Sequence, residues 1–234
     1  MSIADNIESV SRRIQKATDR CDRARAEVTL LAVSKTRTPA DLLEAIAAGQ
    51  RVFAESYLQE ALDKMSALAD QPGLEWHFIG PVQSNKTRDI ANHFDWVHSV
   101  DRLKIARRLN AQRDPDLKPL NICLQVNIDN EPSKSGCRPE ELPALAQAMA
   151  DLPQLSLRGL MAIPDPNQTE AGLRQSFQKL AGALSHLKEM EQGGAGPLDS
   201  LSMGMSSDLE IAIEEGATLV RVGTAIFGKR PAKS

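Results

Sequence analysis

Residues 27–41 read EVTLLAVSKTRTPAD, and this stretch carries the first decision about the fold. From Glu27 to Ser34 the run is apolar with almost no polar interruption, as in a parallel strand covered on both faces. Thr38, Pro39 and Asp41 then form a helix start. They supply a hydroxyl N-cap, a proline at the first helical position and an acid near the positive helix end. The helix is expected to run to Ala48 and to stop at Gly49. Strand followed by helix is one βα unit.

The unit recurs along the chain. Further strands are predicted at Arg51–Ala54, Glu75–Ile79, Asp95–His98, Leu120–Ile128, Leu155–Ile163, Ser200–Met203 and Thr218–Val222. Between them, helices are predicted over Tyr57–Leu68, Gln83–Asn92, Arg102–Gln112 with Asp101 as cap, Pro139–Leu152 and Gln168–Met190. A last one begins near Ser206–Asp208 and ends at Gly216, where Ser207 and Glu210 match a capping box. Eight strands, nearly all followed by a helix, in 234 residues is the arithmetic of an α/β protein built as a single (β/α)8 TIM barrel. An open doubly wound sheet is the alternative, weakened because no G-x-G-x-x-G follows the first strand. An extra amphipathic helix precedes the barrel at the N-terminus. The glycine run at 193–196 reads as a loop between one helix and one strand, so residues 1–234 are expected to form one domain.

Charge and composition exclude several roles. With 28 basic and 31 acidic residues the net charge is −3, which argues against nucleic-acid binding by bulk electrostatics. Aromatic residues are only 3 %, too few for base-stacking platforms. Cys21, Cys123 and Cys137 have no metal-ligand spacing and fit a reducing compartment. The N-terminus lacks the apolar core of a secretory signal, and no apolar run approaches the ~18 residues of a membrane span. The expectation is a cytoplasmic protein with no membrane partner.

In a barrel, chemistry belongs to the C-terminal ends of the strands. Lys35 ends the most apolar strand, on the same side as Leu31 and Val33. A lysine at that rim is partly desolvated, which favours the neutral amine a Schiff base needs, or it simply snorkels to water. Arg221-Val222-Gly223-Thr224 ends the eighth strand, and Ser202-Met203-Gly204-Met205-Ser206 ends the seventh. Together they look like one phosphate cup of backbone N–H groups and a hydroxyl. His77 and His98, with no partner at ligand spacing, read as core or rim histidines. Gln83–Lys86 reads as a polar helix start and Lys134-Ser135-Gly136 as a solvated loop.

The runs LLAVSKTR, EWHFIGPVQSNKTR, SKSG, LRGLMAI, LSMGMSSDLEIAI and VRVGTAIFG resemble the YggS/PROSC family of single-domain pyridoxal phosphate homeostasis proteins. That family is similar to the N-terminal domain of alanine racemase, the fold type III group of pyridoxal 5′-phosphate proteins. The resemblance implies that pyridoxal 5′-phosphate is the cofactor and that Lys35 holds it as an aldimine. It further implies that Arg221 faces the pyridine nitrogen, that Ser206, Gly223 and Thr224 hold the phosphate, and that His77 and Met203 lie near the ring. There is one departure. Where the family reads FGENYVQE, this chain reads FAESYLQE, so Ser56 replaces the asparagine beside the cofactor. The implied function is a non-catalytic binding protein for cofactor homeostasis, with client enzymes that use the cofactor as partners and a monomer favoured. The alternative is a small pyridoxal-phosphate-dependent amino-acid racemase. An arginine at the ring nitrogen, and the lack of the tyrosine base that racemases draw from a further domain, both speak against it.

Overall fold

The computed structural model describes residues 2–129, 131, 135–190 and 196–229, so Lys134 and the glycines at 193 and 194 lie outside the described residues. Eight parallel strands close into a barrel in chain order: β1 Thr29–Val33, β2 Val52–Glu55, β3 Glu75–Phe78, β4 Trp96–Val100, β5 Leu120–Gln125, β6 Leu155–Met161, β7 Ser200–Ser202 and β8 Leu219–Val222. The seam is a parallel pairing of β1 with β8, in register from Thr29 with Leu219 to Ala32 with Val222.

Helix α1, Ile3–Arg20, precedes the barrel. The connecting helices are α2 Pro39–Ala47, α3 Leu58–Ala67, α4 Thr87–His93, α5 Leu103–Gln112, α6 Leu142–Gln147, α7 Glu170–Met190, α8 Leu209–Glu214 and the single turn α9 Thr224–Phe227. The predicted start of α2 forms as read. Thr38 Oγ1 accepts from the Asp41 N–H at 3.2 Å, and the Asp41 carboxylate accepts from the Thr38 N–H at 2.8 Å. Three other starts differ. Asp101 pairs with the Arg102 guanidinium at 2.7 Å, and Arg102 stands at the cap of α5. The box at Ser207 does not form, because Asp208 is the cap of α8 and Glu210 is taken by Arg13. The predicted helix from Gln83 begins only at Thr87, after a turn.

Alternation along the strands divides the apolar residues between two places. Leu31, Ala54, Trp96, Cys123, Met161 and Leu219 fill the barrel interior, and a larger cluster packs between the sheet and the helices. Burial pushes the Cys123 thiol up to about 12, so it behaves as a small apolar side chain. Helix α1 belongs to the outer layer. It buries Ile7, Val10, Ile14 and Ala17 and packs against α2, α8 and α9.

Gly159 shows how closely the sheet is built. A Cβ there would stand 1.8 Å from the Ser200 carbonyl oxygen on β7. Gly159→Ala should therefore prise β6 from β7 and cost at least the ~1–3 kcal/mol typical of overpacking. Chemical denaturation would check it, and a variant as stable as the parent would contradict this packing.

Candidate functional site

The C-terminal mouth of the barrel collects most of the residues singled out from the sequence. Lys35 lies two residues past β1, half-buried, with Nζ 3.4 Å from the Ser56 hydroxyl. Ser56 follows β2, and its backbone is pressed against Gly80, where a Cβ would come within 2.2 Å of the Ser56 carbonyl oxygen. Across the seam, Val33, Lys35, Arg37, Gly223 and Thr224 line one cleft. Arg37 holds the Gly228 and Lys229 carbonyls at 2.5 and 3.1 Å. A second, wider cleft of about 300 Å³ opens between Ile79, Gln125, Asn127, Ser135 and Ile163.

The two loops of the expected phosphate cup meet. The Ser206 hydroxyl sits 3.4 Å from the Ala225 N–H at the start of α9, where the opening N–H groups have no intrahelical acceptor. Helix α1 holds this junction from behind. Arg13 forks onto Glu210 at 2.6 and 2.8 Å and donates to the Ser206 carbonyl at 3.0 Å, while the Asn6 amide donates to the Ile226 carbonyl at 2.8 Å.

The loop that carries Lys35 is braced by a buried ion pair. Lys64 Nζ donates to the Ser34 carbonyl at 2.6 Å, to Glu55 Oε1 at 2.8 Å and to Glu60 Oε1 at 2.5 Å. Those are all three protons of an ammonium. Glu60 also accepts from the N–H of Thr36, whose φ of +66° is costly for a β-branched residue. Lys35 is thus gripped on both flanks. Burial pushes the Glu55 carboxyl above its ordinary range, against the pull of Lys64.

Deeper in the barrel lies Arg221, 5 % exposed. It donates to the Ser202 hydroxyl at 2.6 Å and to the Ala162 carbonyl at 2.9 Å, and burial lowers its pKa to about 10, so it remains a cation at neutral pH. His77 and His98, 21 residues apart, sit on adjacent strands 2.8 Å from one another. His77 stacks on Trp96, with ring centroids 5.2 Å apart. Both imidazoles are fully buried, and burial lowers both pKa values, that of His98 strongly. Met203, expected near the ring, is fully buried in the larger apolar cluster, and the neighbouring Ser202 points inward.

Of the residues proposed from sequence, Lys35, Ser56, Gly223, Thr224 and Ser206 stand at the mouth. Arg221 and His77 lie in the interior beneath it. Sequence reasoning did not single out Arg37, Lys64, Glu60 or Arg13, and it named Ser202 only as part of the strand-7 end. The i,i+4 spacing of Glu60 and Lys64 on one predicted helix was a usable signal for that pair. Among the described residues no cluster could hold a metal ion, and no helix is long and apolar enough to cross a membrane.

A closed parallel barrel with a lysine after its first strand and a hydroxyl and glycine junction after its last two defines the class: barrels of the alanine-racemase type. The family profile described as "Alanine racemase, N-terminal domain" matches residues 6–231, and the chain belongs to that family. It is 59 % identical over 229 residues to the pyridoxal phosphate homeostasis protein of Pseudomonas aeruginosa, covering 98 % of this chain and 96 % of the relative. To the protein of that name from Escherichia coli K12 it is 51 % identical over 230 residues, covering 97 % of each. Among solved structures it is similar to PipY of Synechococcus elongatus with pyridoxal phosphate bound, at a TM-score of 0.85 and 38 % identity. That match covers 97 % of this chain and 100 % of PipY. Alanine racemase from Corynebacterium glutamicum shares the fold at a TM-score of 0.71 and 15 % identity, with 99 % of this chain matching 62 % of the racemase chain.

Two outcomes follow from the buried charges. Lys64→Met should cost about 3–5 kcal/mol, because it leaves the Glu55 carboxylate buried and unpaired. Denaturation of that variant and of the double variant Lys64→Met/Glu55→Leu checks this, since removing both partners should restore much of the loss. The second outcome concerns acid. Below the ordinary histidine value of 6.5, unfolded histidines take up protons that His77 and His98 refuse. Stability is therefore full above that value and falls as the pH drops toward the depressed folded values, by up to ~1.4 kcal/mol per pH unit for each histidine. Denaturation between pH 7 and 5 should show this slope, and His98→Gln should flatten it.

Proposed function

We propose that this chain holds pyridoxal 5′-phosphate at the C-terminal mouth of the barrel for cofactor homeostasis, with covalent attachment through Lys35. The observation that carries the reading is the seam cleft. There Lys35 and the Gly223–Thr224 turn face one space, although 188 residues separate Lys35 from Gly223 in sequence. The names of the relatives and the cofactor in PipY point the same way.

The residues fit the group. Bound there, pyridoxal 5′-phosphate supplies an aldehyde that condenses with an amine with loss of water, an acceptor nitrogen in its ring and an anionic phosphate. Lys35 offers the amine, and Ser56 is the side chain against it. The Ser206 hydroxyl and the opening N–H groups of α9 supply neutral donors suited to phosphate, with the cationic Arg37 on the same cleft. Arg221 uses two of the five N–H groups of its fork on Ser202 and Ala162. A buried cation with donors to spare suits a ring nitrogen that only accepts, and it keeps that nitrogen unprotonated.

An unprotonated ring is a poor sink for a carbanion, so we read the protein as a binding protein and not as a catalyst on amino acids. The open cleft beside Ile79 and Ile163 leaves the mouth accessible for exchange with solvent or with client enzymes.

Borohydride reduction of the loaded protein followed by peptide mass mapping should place a phosphopyridoxyl group on Lys35. Lys35→Ala should lose it while keeping its fold. A label found only on Lys86 or Lys134 would overturn the assignment. Loaded protein incubated with L-amino acids in heavy water should show no Cα exchange at enzymatic rates, and turnover of about 1–10³ s⁻¹ on any of them would make it an enzyme.

A further inference from the structure

The interior of the barrel contains a chain of side chains running from one end to the other. Glu75 stands at the N-terminal opening, in a cleft with Trp96, Arg158 and Asp199, and its side chain is 46 % exposed. From Glu75 Oε1 the contacts are 2.7 Å to His77 Nε2, 2.8 Å from His77 Nδ1 to His98 Nε2, 2.7 Å from His98 Nδ1 to the Ser202 hydroxyl, and 2.6 Å from that hydroxyl to Arg221 Nη1.

The two ends fix the direction of every link. Arginine can only donate, so Ser202 Oγ accepts from Arg221 and its own proton is available to His98 Nδ1. A carboxylate can only accept, so His77 Nε2 carries the proton given to Glu75. In a neutral imidazole that leaves His77 Nδ1 as an acceptor, and His98 Nε2 must donate to it. His98 Nδ1 is then an acceptor, which is what Ser202 requires. Burial disfavours the charged form of both rings, and in His98 its neighbour His77 and the Arg221 cation oppose it further. With both rings neutral, one assignment satisfies all four contacts: the proton of each histidine on Nε2, and all donors pointing from Arg221 toward Glu75.

We propose that Ser202 and His98, backed by His77 and Glu75, are positioning residues for Arg221. They form a one-directional hydrogen-bond chain that fixes the guanidinium plane and hence where its uncommitted donors point. The inference rests on the reading of Arg221 as the partner of the cofactor's ring nitrogen. It extends the site from the C-terminal mouth to a carboxylate at the opposite end of the barrel. Ser202 lacks the charge to hold a guanidinium strongly by itself, but an oriented hydroxyl polarised by a carboxylate-anchored chain is a better acceptor. The Ala162 carbonyl supplies the second anchor, so loss of Ser202 should leave the guanidinium pivoting on one contact.

The first measurement needs no cofactor. The chain has four histidines, of which His93 and His186 are exposed, so ¹⁵N-histidine labelling resolves the buried pair. At neutral pH both His77 and His98 should be neutral Nε2–H tautomers. An Nδ1–H tautomer or an imidazolium at either position overturns the chain, whether or not any variant folds. The second measurement uses protein loaded with pyridoxal 5′-phosphate. Ser202→Ala should release cofactor about tenfold more readily, the equivalent of one hydrogen bond, and should shift its absorption maximum. Ser202→Thr, which keeps the hydroxyl, should restore both. Arg221→Lys separates the two layers of the argument. If it leaves spectrum and retention unchanged, the reading of Arg221 fails. If it alters them while Ser202→Ala and His98→Gln do not, the positioning chain fails and the reading of Arg221 stands.

Discussion

Closure of the sheet is the constraint on which the rest of the molecule depends. In a flat sheet of eight strands spaced by ~4.8 Å, the first and last would lie about 34 Å apart. Here β1 and β8 are neighbours, with Leu31 opposite Arg221 and Ala32 opposite Val222. Because the pairing is parallel, whatever follows Val33 and Val222 emerges side by side. That register brings the Lys35 amine and the Gly223 turn to one cleft, and it leaves Arg221 just beneath them, facing inward. The functional groups need no loop to reach across the mouth.

The barrel interior is otherwise an apolar filling of Leu31, Ala54, Cys123, Met161 and Leu219. A guanidinium and two imidazoles among such residues are costly unless each polar atom finds a partner. They find partners here mainly by acting in series, with the Ala162 carbonyl taking a further donor of Arg221. A well-packed apolar set of similar volume would often be as stable or more so. What the polar set adds to the fold is therefore a poor explanation of its presence. The pair at Lys64 and Glu55 follows the same logic at a smaller scale, holding the backbone around Lys35 where a looser loop would let it wander.

The fold was legible because its signals are local. A parallel strand buried on both faces reads as an unbroken apolar run, and Thr38-Pro39-Asp41 specifies a helix start within four residues. Lys35, Arg221, Gly223 and Thr224 were legible for a related reason: each is placed by its distance from a strand end. What escaped depended on facts that short spacings do not carry. The inward face of Ser202 was hard to read because a strand of three residues gives alternation little to work with. His77 and His98 seemed unpartnered because a search at ligand spacing looks a few residues away, whereas neighbouring strands place equivalent positions about twenty residues apart. Arg13 meets its partner Glu210 at a separation of 197 residues. The cap at Asp101 and the box at Ser207 failed for the opposite reason: their motifs were correct, but arginines close by in space offered the acids stronger partners.

The clamp of α1 on the Ser206 junction has a consequence for biosynthesis. Asn6 and Arg13 are made well before Ser206, Glu210 and Ile226, the residues they hold. Until those residues emerge, Arg13 and Asn6 lack these partners and the strand that closes the seam is missing. A nascent chain can therefore expose the Lys35 amine long before the Gly223 turn stands beside it. Contacts of such long sequence separation are made late and slowly. The seam cleft should thus appear as an all-or-none property of the completed barrel.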